Sequence, residues 1–135
     1  MQPASRQRLR KRVLIAEDEP NIVVSLEFLL QGAGHEVSIA RDGQQAIDTI
    51  RRSKPHLVVL DLMLPRVNGF DVCRLVREDP ALKDVKILML TARGRETEMT
   101  RGLEAGANAY MTKPFATRDL LRMVSELLET VQAAD

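Results

Sequence analysis

The chain has 135 residues, of which 44% are apolar and 29% charged, the size and composition of one globular domain with its own core. Its single cysteine, Cys73, excludes an internal disulfide. No apolar run approaches the ~18 residues of a membrane span. The formal charge of +1 hides a −4 body, because Arg6, Arg8, Arg10, Lys11 and Arg12 crowd the start and leave 15 basic and 19 acidic residues. Nucleic-acid binding as the primary role is thereby rejected: a body short of phosphate-neutralising charge, with only Tyr110 and three Phe for stacking, is a poor ligand for it.

Residues 1–12 are expected to be a basic, flexible tail, and the folded domain to run over 13–131, with 132–135 as a second short tail. Val13-Leu14-Ile15-Ala16 reads as a buried strand that ends in Glu17-Asp18-Glu19. Pro20 suits the first turn of a helix, where its missing N–H is no loss. Helical spacing puts Ile22, Ser25, Leu26, Leu29, Leu30 and Ala33 of that helix inward, with Val23, Val24 and Phe28 on the outer side. Gly32 and Gly34 end it. Val37–Ala40 is a second strand, and Ala46, Ile47 and Ile50 mark a second helix that stops before Pro55.

Leu57-Val58-Val59-Leu60-Asp61 is the pattern of a central strand buried on both faces and ending in a carboxylate. Taken alone, Asp61 could begin a turn or mark a ligand site, since open α/β sheets bind ligands at their carboxyl edges. Asn68 then caps a helix with Val72, Cys73 and Val76 inward, which makes Cys73 a small core residue. Ile87–Leu90 is a fourth strand, ending in Thr91-Ala92. A weak helix follows from Glu96 to Ala105, anchored by Met99 and Leu103 and interrupted by Gly102 at a cost of ~1 kcal/mol. Ala109-Tyr110-Met111 is a short fifth strand leading to Thr112-Lys113-Pro114. Leu120, Leu121, Val124, Leu127, Leu128 and Val131 define the last helix. Alternating strands and helices with short connections mean a doubly wound α/β fold, a five-stranded parallel sheet with helices on both faces.

The strand ends share one edge of such a sheet. They deliver Glu17, Asp18, Asp61, Thr91 and Lys113. Two carboxylates about 4 Å apart repel by ~4 kcal/mol at an effective dielectric of 20, so three together call for a cation. Oxygen ligands select Mg²⁺ or a similar hard ion, and His35 and His56 stand isolated as surface or strand-edge residues. Metal, ammonium and hydroxyl together suit a phosphoryl group, with the central Asp61 as nucleophile.

The segments Val13–Pro20, Leu57–Pro65, Leu90–Arg93 and Tyr110–Phe115 resemble, in order and spacing, the receiver domains of bacterial two-component response regulators. The resemblance runs from about Val13 to Val131. It implies the strand order 2-1-3-4-5 and a phosphoryl group taken by Asp61 from a sensor histidine kinase or a histidine phosphotransfer protein. Glu17, Asp18, Asp61 and the backbone carbonyl of Met63 would hold Mg²⁺ or Mn²⁺. Lys113, Thr91 and Ala92 would contact the phosphoryl group, Tyr110 would be the switch aromatic, and Lys113–Pro114 would be cis. Val24 and Phe28 would dock the kinase. Met63 and Arg93 occupy positions that tune hydrolysis in this family.

The implied protein is not an enzyme beyond assisting its own phosphorylation and dephosphorylation. It would be a cytoplasmic, single-domain switch, with no DNA binding of its own, that signals to a downstream protein through the face of the fourth helix, fifth strand and fifth helix. Three departures from the family pattern stand out: Glu17 for the commoner Asp, Arg66 where a small residue is frequent, and Asn108-Ala109 where paired acids occur in winged-helix regulators. A Mg²⁺-dependent phosphatase with an aspartate nucleophile is the rival reading, disfavoured because Met63 replaces its acid/base Asp. A flavin carrier is disfavoured because Glu17-Asp18-Glu19 would repel phosphate.

Overall fold

The computed structural model describes residues 11–92 and 97–134, without the side chains of 97, 98 and 130–134. Residues 1–10 of the basic stretch, Arg93, Glu96 and the Val131 side chain lie outside that description. Among the described residues the order is β1 (Arg12–Ala16), α1 (Pro20–Gly32), β2 (Glu36–Ala40), α2 (Gly43–Ser53), β3 (Leu57–Asp61), α3 (Gly69–Glu78), a 3-10 turn (Pro80–Leu82), β4 (Lys86–Ala92), α4 (Thr97–Glu104), β5 (Ala109–Lys113) and α5 (Thr117–Ala134). The strands form one parallel sheet in the order β2-β1-β3-β4-β5.

Alternate strand residues face opposite sides, and each side has its own core. Val13, Ile15, Leu57, Val59, Leu88 and Leu90 pack with Leu26 and Leu30 of α1 and with Leu120, Val124 and Leu128 of α5. Leu14, Ala16, Val58, Leu60, Ile87 and Met89 pack with Ala46, Ile47 and Ile50 of α2 and Val72, Cys73 and Val76 of α3. All five residues of β3 are buried, because it lies between β1 and β4 with helices on both faces.

Several assignments differ from the sequence reading. In α1 the buried stripe is Val23, Leu26 and Leu30, so Val23 faces in, while Ser25 and Ala33 are exposed. The shift buries a β-branched residue and leaves the Ser25 hydroxyl in water. Ile22 and Leu29 become half-buried flanks, and Val24 and Phe28 stay outside at 63% and 77% exposure. The sheet begins at Arg12, whose guanidinium donates to the carbonyls of Ser53 and Lys54, and Lys11 before it is buried. His35 Nδ1 accepts from the Lys11 amide at 3.3 Å, and His56 Nδ1 from the Arg12 amide at 3.1 Å. The histidines thus satisfy backbone donors where β1 enters the sheet. At the other end of the chain, α5 continues through residues 132–134.

Leu103 is not an anchor of α4, being 46% exposed. The helix approaches the sheet through Gly102 instead: a Cβ there would lie 3.0 Å from Met89 Sδ and 3.4 Å from Tyr110 Cε2. A residue that weakens the helix is what allows it to lie this close. The Arg101 guanidinium stacks 4.3 Å over the Phe70 ring of α3. Cys73 Sγ donates to the Ala105 carbonyl, and Arg77 Nε donates to the Gly106 carbonyl at 2.8 Å. Asn108 Oδ1 accepts from both Arg77 Nη2 and the Ile87 amide, tying α3 to the start of β4.

Burial lowers the His35 pKa below the ordinary 6.5, and nearby Lys11 lowers it further. The unfolded chain therefore takes up this proton before the folded one does, so stability from neutral His35 is present above 6.5 and falls as pH drops through 6.5 toward the folded value. Urea unfolding at pH 7.5 and 5.5 is expected to show a larger loss in the wild type than in His35→Gln. Equal losses would contradict this account.

Candidate functional site

Parallel register sets the site. Ala16 pairs with Leu60, Asp61 with Leu90, Thr91 with Thr112 and Ala92 with Lys113, so the carboxyl ends of β1, β3, β4 and β5 finish side by side. Glu17, one residue beyond β1, is fixed by its amide donating to the Ala40 carbonyl at 3.0 Å, and it is fully buried. Asp61 is 3% exposed, and its Oδ1 accepts from the Met63 amide at 3.2 Å. Just beyond it the Leu62 amide donates to the Leu90 carbonyl, and the Gly69 amide donates to the Leu62 carbonyl, each at 2.8 Å.

Lys113, the last residue of β5, sends its ammonium into this group. Nζ lies 3.3 Å from Glu17 Oε1, 3.4 Å from Asp61 Oδ1 and 3.5 Å from Glu19 Oε1. Burial opposes the charge on Lys113, but Asp61, Glu17 and Glu19 outweigh it and raise its pKa. Glu17 is pushed up to about 7, first by burial and then by the Asp61 charge, against the opposing Glu19 amide and Lys113. One ammonium does not balance the carboxylates gathered here. Glu17, Asp18 and Asp61 can bring three oxygens within 4.8 Å of one another, a hard donor set that fits an oxygen-ligated divalent cation.

Thr91 is fully buried, and its Oγ1 is a buried side-chain oxygen without a hydrogen-bond partner among the described residues. Such a group costs free energy unless something occupies it. A cleft of about 760 Å³ opens over the site, lined by Asp18, Glu19, Asp61, Met63, Ala92 and Lys113 and continuing past Ile22, Leu29 and Phe115.

The expected residues Glu17, Asp18, Asp61, Thr91, Ala92 and Lys113 therefore share one edge. Met63 is exposed beside Asp61, and the Lys113–Pro114 peptide is cis. Tyr110 is half-buried two residues before Thr112, the register partner of Thr91, opposite Met89 and against Gly102. Val24 and Phe28 stand on α1 apart from the residues that line the cleft. Glu19 is the residue that sequence reasoning missed. The run Glu17-Asp18-Glu19 contained the signal, but the return of the third side chain toward Lys113 depends on the turn into α1. Arg66 adopts φ +71, a left-handed conformation that costs a non-glycine residue about 1–2 kcal/mol.

Comparison with known proteins places these observations. The family model described as response regulator receiver domain matches residues 13–125. The chain is 41% identical over 116 residues to the DNA-binding response regulator MtrA of Mycolicibacterium smegmatis, covering 86% of this chain and 50% of that protein. It is 39% identical over 126 residues to the alkaline phosphatase synthesis transcriptional regulatory protein PhoP of Bacillus subtilis, covering 93% of this chain and 52% of that protein. It thus spans about half the length of these relatives. The crystal structure of the receiver domain of sensor histidine kinase PA1611 from Pseudomonas aeruginosa, with a magnesium ion in its active-site cleft, superposes with a TM-score of 0.81 at 28% identity, over 88% of this chain and 98% of that one.

The packing behind Asp61 leaves no room for a side chain at Gly69, where a Cβ would lie 2.7 Å from the Asp61 carbonyl oxygen and 2.8 Å from Leu62 Cα. Gly69→Ala is expected to destabilise the fold by about 1–3 kcal/mol in urea unfolding. Gly32→Ala, with nothing within 4 Å, should be neutral or stabilising by up to ~1 kcal/mol. Equal effects of the two substitutions would contradict the close approach of α3 to the Asp61 backbone.

Proposed function

The chain belongs to the response regulator receiver domain family, the phosphoacceptor domains of two-component signalling, and we propose that Asp61 is its phosphoacceptor. The donor is a phosphohistidine on a sensor histidine kinase or a histidine phosphotransfer protein. The observation that carries this reading is the placement of Asp61 Oδ1 3.4 Å from Lys113 Nζ, at the mouth of a cleft and in the same carboxyl-end row as the unsatisfied Thr91 hydroxyl.

An Asp61 carboxylate oxygen attacks the phosphorus. The P–N bond to the donor imidazole breaks, and the leaving nitrogen keeps the electron pair and takes up a proton. The product is an acyl phosphate, which water later hydrolyses to inorganic phosphate and the free carboxylate. Lys113 offsets charge on the phosphoryl oxygens, and the Thr91 hydroxyl donates to one of them, ending its unsatisfied state. Glu17, Asp18, Asp61 and the Met63 carbonyl would hold Mg²⁺ or Mn²⁺, which supplies further charge neutralisation when bound.

The chain assists its own phosphorylation and dephosphorylation and turns over no other substrate. Met63 favours this reading over a phosphatase, since a thioether two residues after the nucleophile supplies no general acid. A shift of Thr91 toward the phosphoryl group alters the space next to Tyr110, and the α4, β5 and α5 face carries the change to a downstream protein in the cytoplasm. DNA contact is not a function of this acidic body. Among the described residues no helix is long and apolar enough to cross a membrane. Val24 and Phe28, four residues apart on the outside of α1, form the apolar part of a kinase docking surface.

Acetyl phosphate with Mg²⁺ is expected to add one phosphoryl mass to the wild type and none to Asp61→Ala; equal labelling of both would sink the assignment. Mg²⁺ should raise the melting temperature of the wild type in a concentration-dependent way and that of Asp18→Asn much less. A wild type indifferent to Mg²⁺ would count against the proposed ligands. Val24→Lys/Phe28→Glu is expected to slow phosphotransfer from a cognate kinase while leaving labelling by acetyl phosphate intact, and an unchanged kinase rate would remove the docking assignment.

A further inference from the structure

We propose that Glu19 is a positioning residue for phosphoryl transfer: its carboxylate pairs with the Lys113 ammonium in the unphosphorylated protein and gives way when the phosphoryl group arrives. The proposal rests on the reading of Asp61 as phosphoacceptor and Lys113 as its phosphoryl partner.

A lysine ammonium has three N–H donors and no acceptor. This one donates to Glu17 at 3.3 Å and Asp61 at 3.4 Å, and the Glu19 carboxylate pairs with it at 3.5 Å. A phosphoryl group on Asp61 brings a new anion to Nζ from the cleft that Glu19 also lines. The Glu17 side chain is fully buried, so withdrawing Lys113 from it strips a buried carboxylate of its counter-charge, while Asp61 gives up its own carboxylate charge on taking the phosphoryl group. The Glu19 side chain is 62% exposed, and its carboxylate can turn into water at the small cost of an exposed ion pair. Glu19 is therefore the partner that gives way.

Its backbone prepares it for this. Glu19 is the N-cap residue of α1, yet its side chain makes no capping hydrogen bond. Its carbonyl accepts from the Val23 amide at 3.0 Å, and its amide donates to Glu17 Oε2 at 3.1 Å. The main chain is thus tied to both the helix and the buried acid, while the carboxylate leans over the cleft toward Lys113.

Two substitutions separate contact from charge. Glu19→Gln keeps the reach and removes the charge, whereas Glu19→Asp keeps the charge and, one methylene shorter, withdraws from Lys113. Phosphorylation by acetyl phosphate is followed against donor concentration with saturating Mg²⁺, together with the affinity for beryllofluoride as a phosphoryl analogue. Both variants are expected to lower the half-saturating donor concentration and the beryllofluoride Kd by about two- to fivefold, the worth of an exposed ion pair, with the maximal rate unchanged. A change in Glu19→Gln alone would show a simple field effect of the charge and overturn the proposal. So would two variants that match the wild type, or a change confined to the maximal rate. If the wild type itself takes no phosphoryl group on Asp61, the underlying reading fails and the proposal with it; labelled wild type with unshifted variants overturns only the role of Glu19.

Discussion

The contact between one ammonium and its surrounding carboxylates is the constraint on which the rest of the structure depends. Lys113 reaches Glu17, Asp61 and Glu19, and Asp18 lies close enough to join Glu17 and Asp61 around a cation. Negative charge in excess of one counter-charge is unfavourable, and Glu17, raised to about 7, shows the strain of burial beside Asp61. A fold keeps such a cluster only if it is held by something stronger. Here that is the parallel sheet: the register fixes where β1, β3, β4 and β5 end, and fully buried β3 cannot slide without exposing four core residues.

The packing around the cluster is uneven in a way that suits a switch. Behind Asp61 the structure is tight, with no space for a methyl group at Gly69 or at Gly43, where a Cβ would overlap the Val67 carbonyl. On the side of α4 it is thin. That helix has eight residues, its Leu103 is exposed, and it rests on the sheet through a glycine. Its C-terminal end is held by Cys73 and Arg77 of α3, which reach the carbonyls of Ala105 and Gly106. An element with few buried anchors and one secured end can shift while the phosphoacceptor side stays in place.

Much of this was legible in the chain itself. The apolar runs at 13–16, 57–60 and 87–90 became the three central strands because a strand buried on both faces has no polar alternation to obscure it. The chemistry was equally visible, since Glu17, Asp18, Asp61, Thr91 and Lys113 all lie at or just beyond strand ends and a parallel sheet brings strand ends together. The errors lay where helical phase or a turn decides the outcome. Val23 and Ser25 exchanged faces in α1 because a helix with apolar residues on more than one side does not declare its rotation. Leu103 looked like an anchor, but Gly102 next to it takes the contact with the sheet. Glu19 was legible as a charge and not as a partner of Lys113, because that contact spans most of the chain and depends on the path from β1 into α1.

The central claim is that this cluster exists to receive a phosphoryl group on one carboxylate among four. Borohydride reduction after treatment with acetyl phosphate and Mg²⁺ traps an acyl phosphate, and peptide mass mapping then locates it. Conversion of Asp61 to homoserine, with Glu17, Asp18 and Glu19 unmodified, is the result this account requires. Reduction at any of the other three, or none at Asp61, would contradict it.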